Sequence, residues 1–381
     1  MHAYRRAFLT AVAVLTLAFS QVLFANVFIP TGSMSTGRYG AFAAPLPGGK
    51  VLIAGGFNGS SLSSAEIYDS NSGAFSPAAN GLSVARGFGT ATVLQDGRVL
   101  LAGGGAYNDM NNVTNAEIYN PSTGQFTPTG SMHVQRASMT ATLLTNGKVL
   151  IAGGIASDGV TRLASAELYD PVGGTFTLTG NMINATDDAA AVRLPNGKVL
   201  IAGGGNGGAT SLATAELYDP VSGTFTATGS MTTGRDDAVA VLLNNGKVLV
   251  ASGGNMDQSV GTADLYDPAT GTFTASHTTF SPRDFASAAT LSDGTVLLVG
   301  GRVDSANANV GSLNTAVLYN PATDTFTPTA SMASARFYFP AITLPDGSVF
   351  VAGGYNDDGV VDGAEIFSVN DIIFANGFEG P

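Results

Sequence analysis

Three places in the chain set carboxylates in the same local context: Asp187-Asp188, Asp236-Asp237 and Asp284, their first members 49 and 48 residues apart. They follow Thr186, Arg235 and Arg283 directly. Where the same context recurs elsewhere, after Arg38 and Arg336, the side chains are aromatic: Tyr39, and Phe337-Tyr338-Phe339. Carboxylates accept hydrogen bonds from hydroxyls, and aromatic faces stack on flat apolar surfaces. Together they suit a polyhydroxylated ligand. Paired carboxylates also permit the acid-base chemistry of glycoside cleavage when their separation is right. Nearby segments add Asn108, Asp109, Asn111, Asn112, Arg302, Asp304, Asn356, Asp357 and Asp358. The candidate ligand-binding set is therefore Asp187, Asp188, Arg235, Asp236, Asp237, Asp284, Arg302, Phe337, Tyr338, Asn356 and Asp357. No residue is assigned a catalytic or metal-ligating role. Asp357-Asp358-Gly359 has the flavour of a calcium loop, but the twelve-residue ligand pattern is absent.

Composition narrows the chemistry. The 381 residues carry 16 Lys plus Arg against 28 Asp plus Glu, a net charge of −12, the wrong sign for nucleic acid or an anionic lipid surface. There is no cysteine, hence no disulfide, no Cys-ligated metal and no thiol nucleophile. Histidine occurs only as His2, His133 and His277. No cofactor is expected. With 44% hydrophobic and only 12% charged residues, disorder and coiled coil are both excluded.

The elements that must position the acids follow from an internal repeat. A Gly-Gly pair closes an apolar run at Gly55, Gly103, Gly153, Gly203, Gly253, Gly300 and Gly353, spaced 48, 50, 50, 50, 47 and 53 residues apart. Each copy holds four short segments of strand chemistry. An apolar first strand follows the Arg position, and an Asn-Gly, Asp-Gly or Gly-Gly turn of the two-residue type I′ kind leads into a second strand such as Lys148 to Gly154. That second strand is apolar on both faces and so is buried on both. A loop of 8 to 14 residues precedes a third strand reading Ala-Glu-Leu-Tyr-Asp, and an Asp-Pro turn precedes a fourth strand centred on Phe. Seven such antiparallel meanders cannot bury both faces singly, so the fold class is all-β, a seven-bladed β-propeller. The variable loops and the Arg positions then share one face, where recognition is built.

The double glycine, the Tyr of the third strand (Tyr68, Tyr119, Tyr169, Tyr218, Tyr266, Tyr319) and the aromatic seven residues after it resemble kelch repeats, the blade also found in the propeller domain of galactose oxidase. The resemblance runs from Asn26 to Phe374, with Phe where kelch units usually carry Trp and Phe367 for the seventh Tyr. The galactose oxidase relation implies copper held by two His and two Tyr, one Tyr cross-linked to Cys. Without Cys that centre cannot form. A second kelch-type class, the periplasmic sialic acid mutarotases, needs no metal. The leading expectation is a non-enzymatic module that binds a glycan or a protein surface on its loop face. The alternative is a metal-free carbohydrate-active enzyme, mutarotase or hydrolase in type, using the Asp cluster. For the six repeat arginines an anion-binding ring competes with simple pairing to Glu66, Glu117, Glu167, Glu216, Asp264 and Glu365, and the pairing is favoured because it recurs as scaffold.

Residues 1–25, with Arg5 and Arg6 before an apolar run, read as a secretory signal peptide cleaved after Ser20 or, preferably, Ala25; an uncleaved anchor is the competing reading. The propeller is assigned to 26–370 and a tail strand to 371–381. An exported, periplasmic or extracellular monomer follows, without stable membrane insertion once the signal is removed. Two segments compete for the last strand of the seventh blade: Val27 to Pro30, which is preferred, and Ile372 to Phe374, expected alongside or outside it. The end, Ile373 to Glu379, also resembles a terminal tag of exported bacterial proteins.

Overall fold

The computed structural model describes residues 22–374 except 106–112, 209, 256–257 and 305–310; the proposed signal up to residue 21 and the terminal tag beyond 374 lie outside the described residues, as do Asn108, Asp109, Asn111 and Asn112. Seven four-stranded antiparallel sheets form a β-propeller. Blade 1 comprises Phe42–Leu46, Lys50–Ala54, Ala65–Asp69 and Ala74–Pro77, and blades 2 to 6 repeat the order, their first strands opening at Thr90, Thr140, Ala190, Val239 and Ser287. Blade 7 is built from Ala341–Thr343, Val349–Ala352, Ala364–Phe374 and, as its outer strand, Val22–Pro30. Among the described residues no helix is long and apolar enough to cross a membrane.

Apart from the exposed Lys50 that opens the first of them, the second strands are buried, as in Val149–Ala152 and Val199–Ala202. Each projects alternately into the gaps on either side of its blade. The core accordingly divides into seven inter-blade clusters, such as the one joining Leu52 and Ala54 to Val99 and Leu101. Farther out, each third-strand Tyr packs on the Phe seven residues later, with ring centroids 4.8 Å apart for Tyr169 and Phe176. The hydroxyls of Tyr68, Tyr169, Tyr218 and Tyr266 each meet a threonine of the preceding blade, as Tyr169 meets Thr129 at 2.8 Å, whereas Tyr319 donates to Asp324 at 3.0 Å.

The ring closes through the amino-terminal segment. Phe28 lies 4.9 Å from Phe367 and so supplies the aromatic partner that the other repeats obtain from their own fourth strand. Residues 372–374 take the first of the two placements expected, lying alongside the amino-terminal strand and not outside it. They prolong the third strand, where Ile372, Ile373 and Phe374 pair with Phe24, Leu23 and Val22.

Two local expectations change. The hairpins in blades 2 to 7 are not two-residue type I′ turns: Gly147 donates to the Leu144 carbonyl at 3.0 Å and Leu144 to that of Lys148 at 2.8 Å. Only the glycine, at φ 85°, is left-handed, which is the three-residue loop with a glycine bulge. In blade 5 the repeat is offset by one: Ser252, at φ 60°, holds the first-glycine place and Gly253 the second.

Candidate functional site

The arginine positions form the frame. Arg38, Arg86, Arg136, Arg235 and Arg336 are buried and pair with Glu66, Glu117, Glu167, Asp264 and Glu365 at 2.8 to 3.1 Å. Each guanidinium also donates to backbone carbonyls of its own blade, Arg336 to Gly353 and Gly363, both at 2.9 Å. Its own carbonyl accepts a hydrogen bond from the double glycine of the blade before, from Gly56 to Arg86 round to Gly354 to Arg38. The arginines therefore stitch blades together and do not form an anion-binding ring. Arg235, expected among the ligand contacts, has no exposed surface and is committed to Asp264.

Blades 4 and 6 depart from this frame and carry Asp187, Asp188 and Asp284, while blade 5, which carries Asp236 and Asp237, keeps its Arg235–Asp264 pair. In blade 4 Thr186 replaces the arginine, and two neutral groups take over its bonds. Asn184 Nδ2 donates to Thr214 Oγ1 and Glu216 Oε1 at 3.3 and 3.0 Å, while Thr186 Oγ1 reaches the Gly203 carbonyl at 3.3 Å. In blade 6 Val317 stands where the other blades have Glu or Asp, so Arg283 is satisfied by Gly300, Ser281 and Thr315 oxygens. Burial without a carboxylate partner pushes it down to about 10.

Two residues beyond each arginine position lies the ring nearest the axis: Gly40, Phe88, Ser138, Asp188, Asp237, Phe285 and Tyr338. All seven are left-handed, at φ between 49° and 60°. Successive members join by backbone hydrogen bonds, Gly40 to Tyr338, Phe88 to Gly40, Ser138 to Phe88, Asp188 to Ser138 and Asp237 to Asp188, at 2.9 to 3.1 Å. At the next step the pattern changes, because the Phe285 N–H donates to the Asp284 carboxylate at 2.9 Å. A left-handed backbone costs a non-glycine residue about 1 kcal/mol or more. Six blades nonetheless keep a side chain there. These side chains line an axial cavity of about 440 Å³, which Phe88, Phe285 and Tyr338 of blades 2, 6 and 7 share with Asp188 and Asp237 of blades 4 and 5.

One residue nearer the arginines, a second ring pairs with the residue after the double glycine: Tyr39 with Phe57, Asp187 with Gly205, Asp236 with Gly254, Asp284 with Arg302, and Phe337 with Tyr355. In the aromatic sector Tyr39 and Tyr355 stand 5.2 Å apart, and Phe57 stacks on Phe88 at 5.3 Å. In the acidic sector glycine leaves room for the carboxyls. A β-carbon on Gly254 would lie 2.9 Å from Asp236 Oδ1 and 2.7 Å from Asp284 Oδ2, so both groups crowd the same point. Arg162 Nε meets Asp187 Oδ1 at 3.1 Å, and Arg302 Nε meets Asp304 Oδ1 at 2.8 Å. The Arg302 guanidinium also lies 5.7 Å over the Phe337 ring.

Crowding and burial hold protons on these acids. Burial, with the Asp187 charge beside it, raises Asp188 to about 7, and burial with Asp236 raises Asp284 to about 8. Asp237 is raised well above the ordinary carboxylate range by burial first and then by Asp188 and Asp284, while Asp236 is raised mainly by burial. The site is a cluster of carboxyl groups that share protons near neutrality.

Of the sequence candidates, the structure brings Asp188, Asp237 and Tyr338 to the cavity and Asp187, Asp236, Asp284, Arg302 and Phe337 to the adjoining ring. Asn356 and Asp357 sit in a small hairpin farther out, where Asp357 accepts the Ser312 N–H and Asn356 accepts that of Asp358. Phe88 and Phe285 were not singled out from the sequence, although both stand two residues after a repeat arginine. That register was their signal.

A family model described as kelch motif matches residues 38–81 and 189–232. No curated protein sequence matches the chain. Among solved structures, a fungal alcohol oxidase of the AA5 family in complex with copper superposes with a TM-score of 0.75 at 20% identity, over 94% of this chain and 79% of that one. YjhT superposes with a TM-score of 0.60 at 13% identity, over 78% of this chain and 99% of that one. At such identities the likeness is one of fold. The residues here do not fit a copper centre of the galactose oxidase kind. The chain has no cysteine, and the two described histidines, His133 and His277, do not line the cavity but lie beside Glu167 and Asp324, at 2.8 and 3.0 Å. Among the described residues no group of three or more His, Cys, Asp or Glu is arranged to hold a metal ion.

Proposed function

For this kelch-repeat β-propeller, we propose that the axial mouth on the arginine face binds a small polyhydroxylated ligand, a saccharide or the end of a glycan, as an exported recognition module. The observation that carries the reading is the left-handed ring. A scaffold requirement alone would be met at least strain by glycine, as at Gly40, yet the other six positions carry side chains into a cavity of about 440 Å³. Such a volume is within the range of about 300 to 1,000 Å³ usual for ligand sites. One wall stacks and the other accepts hydrogen bonds, which is the division of labour a sugar ring needs. A thermal-shift and calorimetric screen of the mature chain against mono- and oligosaccharides tests it. A bound saccharide raises the melting temperature, and both Asp237→Ala and Tyr338→Ala abolish that rise. A saccharide whose affinity ignores both changes overturns the placement.

A second reading has its own support. Carboxyls raised to about 7 and 8 are poised to give and take protons near neutral pH, as a metal-free acid-base catalyst requires. Incubating any bound saccharide with the protein and following its anomeric composition and chain length by NMR decides between the two.

A further inference from the structure

The charges around the mouth do not balance, and the imbalance says something about the ligand. Neither Lys, Arg nor His lines the cavity. Arg162 and Arg302, in the loops above, are taken by Asp187 and Asp304. Beneath, Arg235 is committed to Asp264, and in blade 4, directly behind Asp188, the arginine is replaced by Thr186. The buried Glu216 there is satisfied by Ile183, Asn184 and the Asn184 amide, all neutral donors. The carboxyls of Asp188, Asp237 and Asp284 thus have no basic side chain of their own at the cavity among the described residues. The same cavity is lined by three aromatic rings that pack into one wall, with Phe285 and Tyr338 at 4.3 Å and Phe88 and Tyr338 at 5.2 Å between centroids. The faces of aromatic rings attract cations, and so do carboxylates.

We propose that the ligand of this cavity carries an organic cation, an alkylammonium group held between the aromatic wall and the Asp188–Asp237 wall, so that an amino sugar with a free amine is preferred over neutral or anionic saccharides. This rests on the reading of the mouth as the ligand site, and adds to it the sign of the ligand's charge. A neutral sugar would leave the acids to share protons among themselves, and an anionic one would be repelled. A cation supplies the partner that the repeat withholds.

Two matched pairs of probes test the charge separately from the sugar, by calorimetry on the full mature chain at neutral pH. Glucosamine is compared with N-acetylglucosamine, in which acetylation removes the charge, and choline with 3,3-dimethyl-1-butanol, its uncharged isostere. The cationic member of each pair is expected to bind about tenfold more tightly, a preference that Asp237→Asn and Asp188→Asn each reduce. The wild-type comparison needs no variant, so a folding defect in either substitution does not blunt it. Equal affinity for glucosamine and N-acetylglucosamine, or for choline and its isostere, overturns the cation and leaves the saccharide reading standing. Preference for choline with no binding of either sugar upholds the cation and removes the saccharide.

Discussion

Asp188, Asp237 and Asp284 show how one residue type takes opposite characters within one chain. In the exposed turns, Asp170 and Asp219 accept backbone N–H bonds and lie below the usual carboxylate range. At the axis, burial and like charges push the same side chain up. The sign of the consequence is opposite too. An acid whose folded pKa is raised binds more protons folded than unfolded, so its contribution to stability falls as pH rises from the unfolded value near 4 toward the folded value. With Asp188 raised to about 7 and Asp284 to about 8, the melting temperature is expected to decline between about pH 5 and 8 and then level. Asp188→Asn should flatten that decline and melt higher than wild type at pH 8. A melting temperature that rises steadily across this interval in the wild type would contradict the shared-proton description. Below pH 4 the turn aspartates dominate, and their stabilisation is lost as they protonate.

Elements in this fold are held by their junctions. Arg336 precedes the first strand of blade 7, yet its guanidinium bonds Gly353 at the end of the second strand and Gly363 and Glu365 at the start of the third, and its carbonyl receives Gly301 of blade 6. Replacing it by methionine leaves Glu365 buried without its cation and should cost about 3 to 5 kcal/mol in urea unfolding. Blade 4 makes the corresponding test of the neutral substitute. Asn184→Ala removes one donor from Glu216 while Ile183 and Asn184 N–H groups remain, so the loss should be smaller, about 1 to 3 kcal/mol. Equal losses in the two variants would mean that the arginine frame carries no special weight. The ranking matters for function, because blade 4 places Asp187 and Asp188.

The whole ring depends on a single closure, where Val27, Phe28, Ile29 and Pro30 pair with Ser368, Phe367, Ile366 and Glu365. Deleting residues 26–31 removes the Phe28–Phe367 contact and the Thr31 to Ala364 hydrogen bond. It should lower the melting temperature far more than deleting 376–381. The reverse ranking would move the closure to the carboxyl-terminal segment. Cleavage after Ala25 would preserve the closure and remove only the pairing of Val22 to Ala25 with residues 371–374.

Seven blades, the strand order within them, the buried second strand and five of the arginine-carboxylate pairs were legible in the sequence, because each is written as a local pattern repeated about every fifty residues. The expected pairing fails for Arg283 and Glu216, which stand in different blades, each facing a neutral residue where its partner would be. The repeat also marked Asp188, Asp237 and Tyr338 as places where the pattern is broken. Phe88 and Phe285 escaped notice because a lone phenylalanine in an apolar repeat looks like core. Only the curvature of the ring turns the second residue after each arginine toward the axis in a left-handed backbone. Arg235 shows the converse: a charged residue beside the acids in sequence is buried behind them in space, since consecutive residues at this junction point to opposite sides of the blade edge. Raised carboxyl pKa values, the aromatic rings that share the cavity with them and a lining without Lys, Arg or His among the described residues are properties of seven distant segments brought around one axis. Composition and spacing fix what each segment is, and closure of the ring alone decides which of them meet.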